Sequence, residues 1–479
     1  MNERVHRQIE KEKMRSADDP NRLHYHLMPP AGLLNDPNGF VFYKGKYHIF
    51  YQWNPFETDH GSKYWGHFIS EDLVHWEEAP IALAPCDWFD KNGCYSGSAI
   101  VHEDRLYLFY TGNVKDEQGR RESYQCLAYS DDGIHFTKKG PVIHVPEGYT
   151  AHFRDPKVFK RGKFWYMAIG AQTVEEKGEA VLYHSDDLAH WEFAGPIAGS
   201  GMNGLGDFGY MWECPDLFSL DGEDILLVCP QGLEPEGIKY NNIFQSGYFS
   251  GRMDYEKNSF HHGDFHELDR GFDFYAPQTT VDSKGRTLLF GWMGNAEGKE
   301  VSQPTEKYGW IHALTLPRVL EWNGGRLLQH PVPELDRLRM DEVSYPELEL
   351  ADGTHAFPDM VGKAFEWEMK VKDWDAEQLI IRLSQSARII FRQDTGMLTF
   401  ERKAPSDQMR TEARHCIIGE LTELRLFRDT SSIELFVNGG EEVFSSRVFD
   451  QHVTGPLELE VSGNIITDIR KWNLKKVTS

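Results

Sequence analysis

Along the first two thirds of the chain, a short apolar run gives way to a charged or glycine-containing turn and then to an aromatic, β-branched run. This pattern returns five times: DPNGFVFYKGKYHIFYQW from Asp36, GSAIVHEDRLYLFYTGN from Gly97, DPKVFKRGKFWYMAIGA from Asp155, CPDLFSLDGEDILLVCPQG from Cys214 and APQTTVDSKGRTLLFGWMG from Ala276. Each copy predicts a β-hairpin. Pro37, Pro156, Pro215 and Pro277, with Ser98 filling the one gap, mark a repeat of about 60 residues. A proline suits the start of a strand, where no N–H is owed to the ladder. Ser70-Glu71-Asp72, Ser130-Asp131-Asp132 and Ser185-Asp186-Asp187, each followed by an aromatic (Trp76, Phe136, Trp191), add room for two more strands per unit. Their recurrence marks them as blade architecture rather than chemistry.

Four strands per unit, repeated radially, predict an all-β fold: a five-bladed β-propeller over 30–335, preceded by a charged N-terminal segment at 1–29. The period then stops. After a linker at 336–350, with room for a short helix in PVPELDRLRMDE, short alternating segments such as AFEWEMKVKDW and SIELFVNGGEEVF, with an Asn438-Gly439 turn, predict a C-terminal antiparallel β-sandwich over 351–479.

The charge balance of 51 basic against 75 acidic residues, −24 net, has no basic cluster within it and argues against nucleic-acid or anionic-membrane partners. Six scattered cysteines lack C-x-x-C spacing, no apolar run is long enough to span a membrane, and the N-terminus is charged; together these predict a cytoplasmic protein with a small-molecule ligand. No P-loop, dinucleotide fingerprint or G-x-S-x-G elbow occurs, and His60 and His67 lack metal-ligand spacing, so neither cofactor nor metal is expected. Oligomeric state is left open.

In a propeller the first strands of all blades line one axis, so residues at the same end of those strands converge. The acids at or beside that place are Asp36, Asp155 and Glu213. Like charges in a partly dry cavity cannot all ionise, so one should keep a proton near neutral pH, and a carboxylate beside a carboxylic acid is what cleavage of a glycosidic bond needs. Arg154 is placed to hold Asp155 ionised, Asn35 to orient a sugar hydroxyl, and Trp53, Trp65, Trp212 and Trp292 to offer aromatic faces to a sugar ring. Taken singly, Asn-Asp-Pro-Asn-Gly is a good turn, Arg154-Asp155 a structural ion pair and Glu213 a satisfied core acid. Their shared register in the repeat is what favours chemistry.

These residues resemble the signatures of glycoside hydrolase family 32, the invertases and other β-fructofuranosidases: LLNDPNG at 33–39, FRDP at 153–156 and WECPDLF at 212–218, with YQWNPF, YWGH, CYSGSA and FYAPQ between and after them. In character the chain is most similar to the intracellular bacterial sucrose-6-phosphate hydrolases. The resemblance implies a retaining hydrolase of sucrose, sucrose 6-phosphate or short fructans. Asp36 is then the nucleophile, Glu213 the acid/base, and Asp155 the residue that holds the fructose 3- and 4-hydroxyls. Asn35, Gln52, Trp65, Tyr95, Ser96, Arg154, Tyr275 and Trp292 are implied to shape the sugar pocket. Where several members carry a tryptophan shortly after the Gln of the second motif, this chain has His60 or a neighbour, which leaves aglycone preference open. The rival readings are an inverting pentosan hydrolase, a fructosyltransferase on the same fold, and a non-catalytic sugar-binding protein.

Overall fold

A computed structural model of the chain describes residues 3–295, 302–450 and 455–477. Five antiparallel sheets form a β-propeller, and a single ten-stranded sheet folds into the C-terminal β-sandwich. The innermost strands of the blades are Gly32–Tyr43, Cys94–His102, Tyr149–Arg161, Met211–Leu220 and Tyr275–Val281, and each packs on the next around the axis until the fifth meets the first. The ring is closed by Trp310–Ile311, which leaves blade 5 to pair in parallel with Gly32 and Leu33 before the chain returns at Ala313–Leu314. Between adjacent blades lie apolar cores, such as Phe50, Trp65, Leu108 and Tyr110 between blades 1 and 2.

Polar contacts tie the five inner strands into a belt around the axis. The Asn38 side chain accepts from the Gly97 N–H at 3.2 Å, Ser98 donates to the Pro156 carbonyl at 2.7 Å and accepts from Val158, and Lys157 pairs with Asp216 at 2.9 Å. Asp216 in turn accepts from the Thr279 N–H and hydroxyl at 2.9 and 2.8 Å, and Gln278 returns to blade 1 by accepting from the Phe40 N–H at 2.8 Å. Immediately before the belt, every inner strand breaks register with its neighbour, at Leu34/Pro37, Tyr95/Gly97, Arg154/Lys157, Glu213/Asp216 and Tyr275/Gln278. A bulge frees one residue from the ladder, so the prolines sit where a missing N–H costs nothing. In three blades the residue before that proline is left-handed: Asp155 at φ 66°, Cys214 at φ 49° and Ala276 at φ 47°. Proline disfavours that conformation in its predecessor, and each such residue carries of order 1–3 kcal/mol of strain, held in place by the belt.

The triplets predicted as architecture form one recurring turn. Ser70 accepts from the N–H groups of Asp72 and Leu73, Asp72 accepts from Val74 and His75, and the same pattern recurs at Ser130/Asp132 and Ser185/Asp187.

Two expected boundaries change in the structure. The charged N-terminal segment contains a helix, Glu3–Ala17, that buries Ile9 and reaches blade 1 through Lys13, which bonds Glu78 at 2.6 Å. The segment 336–350, expected as a linker, holds the end of a short 3-10 helix (Pro333–Leu338) and a full strand, Arg339–Leu350, paired with Leu457–Leu474. Its largely exposed outer face and two register breaks hide the alternation by which a strand is read.

The two domains share a buried charged seam. His26, at the entry to the propeller, lies between Asp429 and Glu434 of the sandwich at 2.9 Å from each, and Glu434 also binds Arg318, which binds Asp269. Backbone bonds from Arg270 to Val443 and from Asp273 to Ser445 continue the seam, and at Gly440 an added Cβ would lie 1.9 Å from the Gln329 carbonyl, so only glycine permits that approach. Burial opposes charge on His26, yet the two carboxylates prevail and raise it from 6.5 to about 9. A group raised on folding stabilises fully below its unfolded value, and the contribution fades as pH climbs through the folded one. The melting temperature should therefore decline between pH 6.5 and about 9. His26→Ala, which leaves two carboxylates buried without their cation, should lose about 3–5 kcal/mol and most of that alkaline dependence. Thermal melts of both proteins across pH check this, and parallel curves would refute the assignment.

Candidate active site

At the bulged end of the axis the structure opens a cavity of about 320 Å³. Asp36 from blade 1, Asp155 from blade 3 and Glu213 from blade 4 all line it, as the repeat register predicts. The bulges are the cause: with the ladder interrupted at these positions, side chains that would alternate between the blade faces turn toward the axis.

Each acid has its own surroundings. Asp36 accepts from Asn35 at 3.1 Å, from Gln52 at 3.1 Å and from the Ser96 hydroxyl, while Lys63 donates to the Asn35 oxygen at 2.7 Å. Burial raises the Asp36 carboxyl and Glu213 adds to the rise, against the bonds from Ser96 and Asn35 and the Lys63 charge. Burial likewise brings the Lys63 ammonium down to about 7. Glu213 accepts from Arg154 Nε and Nη2 at 2.9 and 2.7 Å, from Gln231 at 2.8 Å and from the Tyr275 hydroxyl at 2.6 Å. Burial pushes its carboxyl up, but Arg154, Tyr275 and Gln231 outweigh burial and hold it below the ordinary glutamate value. Asp155 accepts from the Cys214 N–H at 3.0 Å; burial first, then Glu213 and Asp36, push it to about 7 in spite of Arg154.

This partition corrects one expectation. Arg154 is expected to keep its neighbour Asp155 ionised, but its guanidinium is committed to Glu213, and Asp155 is pushed up to about 7. Both side chains line the cavity, but both Nε and Nη2 of Arg154 are taken by the Glu213 carboxylate.

Of the other expected residues, Asn35, Gln52, Tyr95, Tyr275 and Trp292 line the cavity, and Ser96 lies against Asp36. Trp65 does not reach it. It is fully buried between blades 1 and 2, beside Phe50 and Tyr110, with its indole N–H on the Tyr95 carbonyl at 3.1 Å. Trp53 and Trp212 are also core residues, bonded to the Ala31 and Phe208 carbonyls, which leaves Trp292 as the one expected tryptophan at the cavity wall. His60 lines the cavity edge-on to Trp292, with ring centroids 6.1 Å apart. His67 belongs to the core, stacked on Phe50.

Sequence reading missed Lys63, Arg121, His152, Tyr210, Gln231 and Phe244, all of which line the cavity. A signal existed for Gln231 alone: it ends the second strand of its blade much as Gln52 nears the end of its own, and each donates to the acid of the neighbouring inner strand.

The model of the glycosyl hydrolases family 32 N-terminal domain matches residues 26–331, and that of the family's C-terminal domain matches 334–473. Sucrose-6-phosphate hydrolase of Bacillus subtilis (strain 168) is 52% identical over 472 residues, covering 98% of each chain. Among solved structures, sucrose-6-phosphate hydrolase from Lactobacillus gasseri superposes with a TM-score of 0.89 at 32% identity over 98% of this chain and 97% of that one. A variant of the Bombyx mori GH32 β-fructofuranosidase in complex with sucrose superposes at 0.85 with 36% identity over 100% of both.

Since Arg154 is the main force lowering Glu213, Arg154→Gln should move the glutamate titration upward. Infrared difference titration of enzyme carrying isotope-labelled glutamate reads this directly. An unmoved Glu213 titration would overturn the electrostatic assignment.

Proposed function

The chain belongs to glycosyl hydrolase family 32, and on that footing we propose that it cleaves the β-D-fructofuranosidic bond of sucrose or sucrose 6-phosphate with net retention. The observation that supports the reading is that Asp36 and Glu213, brought from blades 1 and 4, face one cavity whose third acid is Asp155.

In this reading Glu213 gives its proton to the glucosyl oxygen as the C2–O bond breaks, while an Asp36 oxygen bonds to C2 and forms a fructosyl ester. Glu213, now a carboxylate, takes a proton from water, whose oxygen attacks C2 from the face the glucosyl oxygen left, opposite the ester bond, and releases Asp36. Two displacements restore the original configuration. Gln52, Asn35 and Ser96 hold Asp36 in place and favour its carboxylate form.

Substrate shifts the proton affinities of the acids. Fructose hydroxyls donating to Asp155 favour its carboxylate, and displacement of water from around Glu213 favours its acid form. Both changes favour a proton on the group next to the leaving oxygen. Tyr275, already within hydrogen-bond distance of Glu213, keeps the acid oriented through both steps. Short fructans fit the same chemistry, and a cytoplasmic setting goes with a phosphorylated substrate. Among the described residues no helix is long and apolar enough to cross a membrane.

Asp36→Asn and Glu213→Gln should each lower kcat on sucrose and sucrose 6-phosphate by at least about 10²–10⁴-fold with little change in melting temperature. Proton NMR of the first-formed fructose should show the β-furanose. Near-native turnover in either variant, or an initial α-anomer, would reject the mechanism.

A further inference from the structure

The cations of the cavity wall are not equally employed. Lys63 is buried and bonded to Asn35, and Arg154 is locked onto Glu213. Arg121, the first residue of the blade 2 strand Arg121–Ser130, has no carboxylate partner among the described residues and lies instead over the Tyr95 ring, 5.9 Å from its centroid. In a chain of net charge −24, an arginine left without an acid at the mouth of a cavity is a candidate anion seat.

His152, from blade 3, stands beside it. Its Nδ1 accepts from Arg154 Nη1 at 2.9 Å, and since a guanidinium only donates, the ring proton is fixed on Nε2. Burial, with Arg154 and Arg121 nearby, brings the imidazole down to about 4, so at neutral pH it is an uncharged N–H donor. The two elements are tied together by the Ser123 hydroxyl, which donates to the Ala151 carbonyl at 2.6 Å. From Glu213 the wall therefore runs through Arg154 to His152 and on to Arg121.

We propose that Arg121 and the Nε2–H of His152 form the seat for the 6-phosphate of the glucosyl unit, and that this pair sets the preference for sucrose 6-phosphate over sucrose. The inference rests on the reading of Glu213 as the group at the glucosyl oxygen. A phosphate monoester is close to dianionic at neutral pH and matches the planar fork of arginine, with the neutral imidazole adding a donor without a second desolvated charge. Arg154 cannot serve in its place without releasing Glu213.

The test measures kcat/KM on sucrose 6-phosphate and on sucrose for wild type, Arg121→Gln, Arg121→Lys and His152→Gln, with binding of glucose 6-phosphate and of glucose by calorimetry. The ratio of the two kcat/KM values should fall about tenfold or more in Arg121→Gln, less in His152→Gln, and to an intermediate value in Arg121→Lys, which keeps the charge and loses the fork. A ratio unchanged in Arg121→Gln would overturn the proposal, whether both substrates suffer equally or neither does. If wild type cleaves neither sugar, the parent reading falls and calorimetry decides this one alone. Glucose 6-phosphate held by wild type and lost by Arg121→Gln supports the seat; equal binding by both, or binding by neither, overturns it.

Discussion

The belt of polar contacts around the propeller axis is the constraint on which the site depends. Inner strands that simply continued their ladders would place alternate side chains in the inter-blade cores, and no three acids would meet. Instead each strand bulges just before the belt, and the belt residues Asn38, Ser98, Lys157, Asp216 and Gln278 bind across to the next blade, so the bulges cannot relax independently. Left-handed Asp155, Cys214 and Ala276 are tolerated because both flanks are fixed. The cavity is thus the mouth of a ring whose geometry is set below it.

On that frame, three chemically similar groups acquire different characters. Glu213 is surrounded by donors and a cation, Asp36 by neutral donors with an ammonium one residue removed, and Asp155 by little more than one backbone N–H. Their proton affinities follow from those neighbours, with Asp155 brought up to about 7 and Glu213 held below the ordinary glutamate value. Environment, rather than residue type, sets the three acids apart.

The architecture was legible in the sequence because the repeat is carried by backbone requirements: prolines at bulges, Ser-acid-Asp turns, and hairpins of alternating apolar residues. The acids were legible for the same reason, as each stands next to a position that the repeat marks. What escaped was set by contacts distant in sequence. Arg121 opens the third strand of blade 2 with no motif around it, Lys63 and His152 stand just outside YWGH and FRDP, and the His26–Asp429 seam joins residues 403 apart. Trp65 was misplaced since a strand tryptophan near a site motif reads alike whether it faces sugar or a neighbouring blade. Its packing on Phe50 and Tyr110 is what places its side chain in the inter-blade core. The 339–350 strand was read as linker because its exposed, twice-broken alternation lacks the apolar period of the strands around it.

The central claim is that Asp36 and Glu213 act on opposite sides of one bond, across a hollow made by distant blades. Peptide mass analysis of Glu213→Gln enzyme, quenched during turnover of a fructofuranosyl donor whose leaving group needs no acid, tests this most directly. The account predicts one anhydrofructose unit esterified to the peptide carrying Asp36. A sugar adduct on any other residue, or turnover of that donor with no adduct and inverted product, would contradict it.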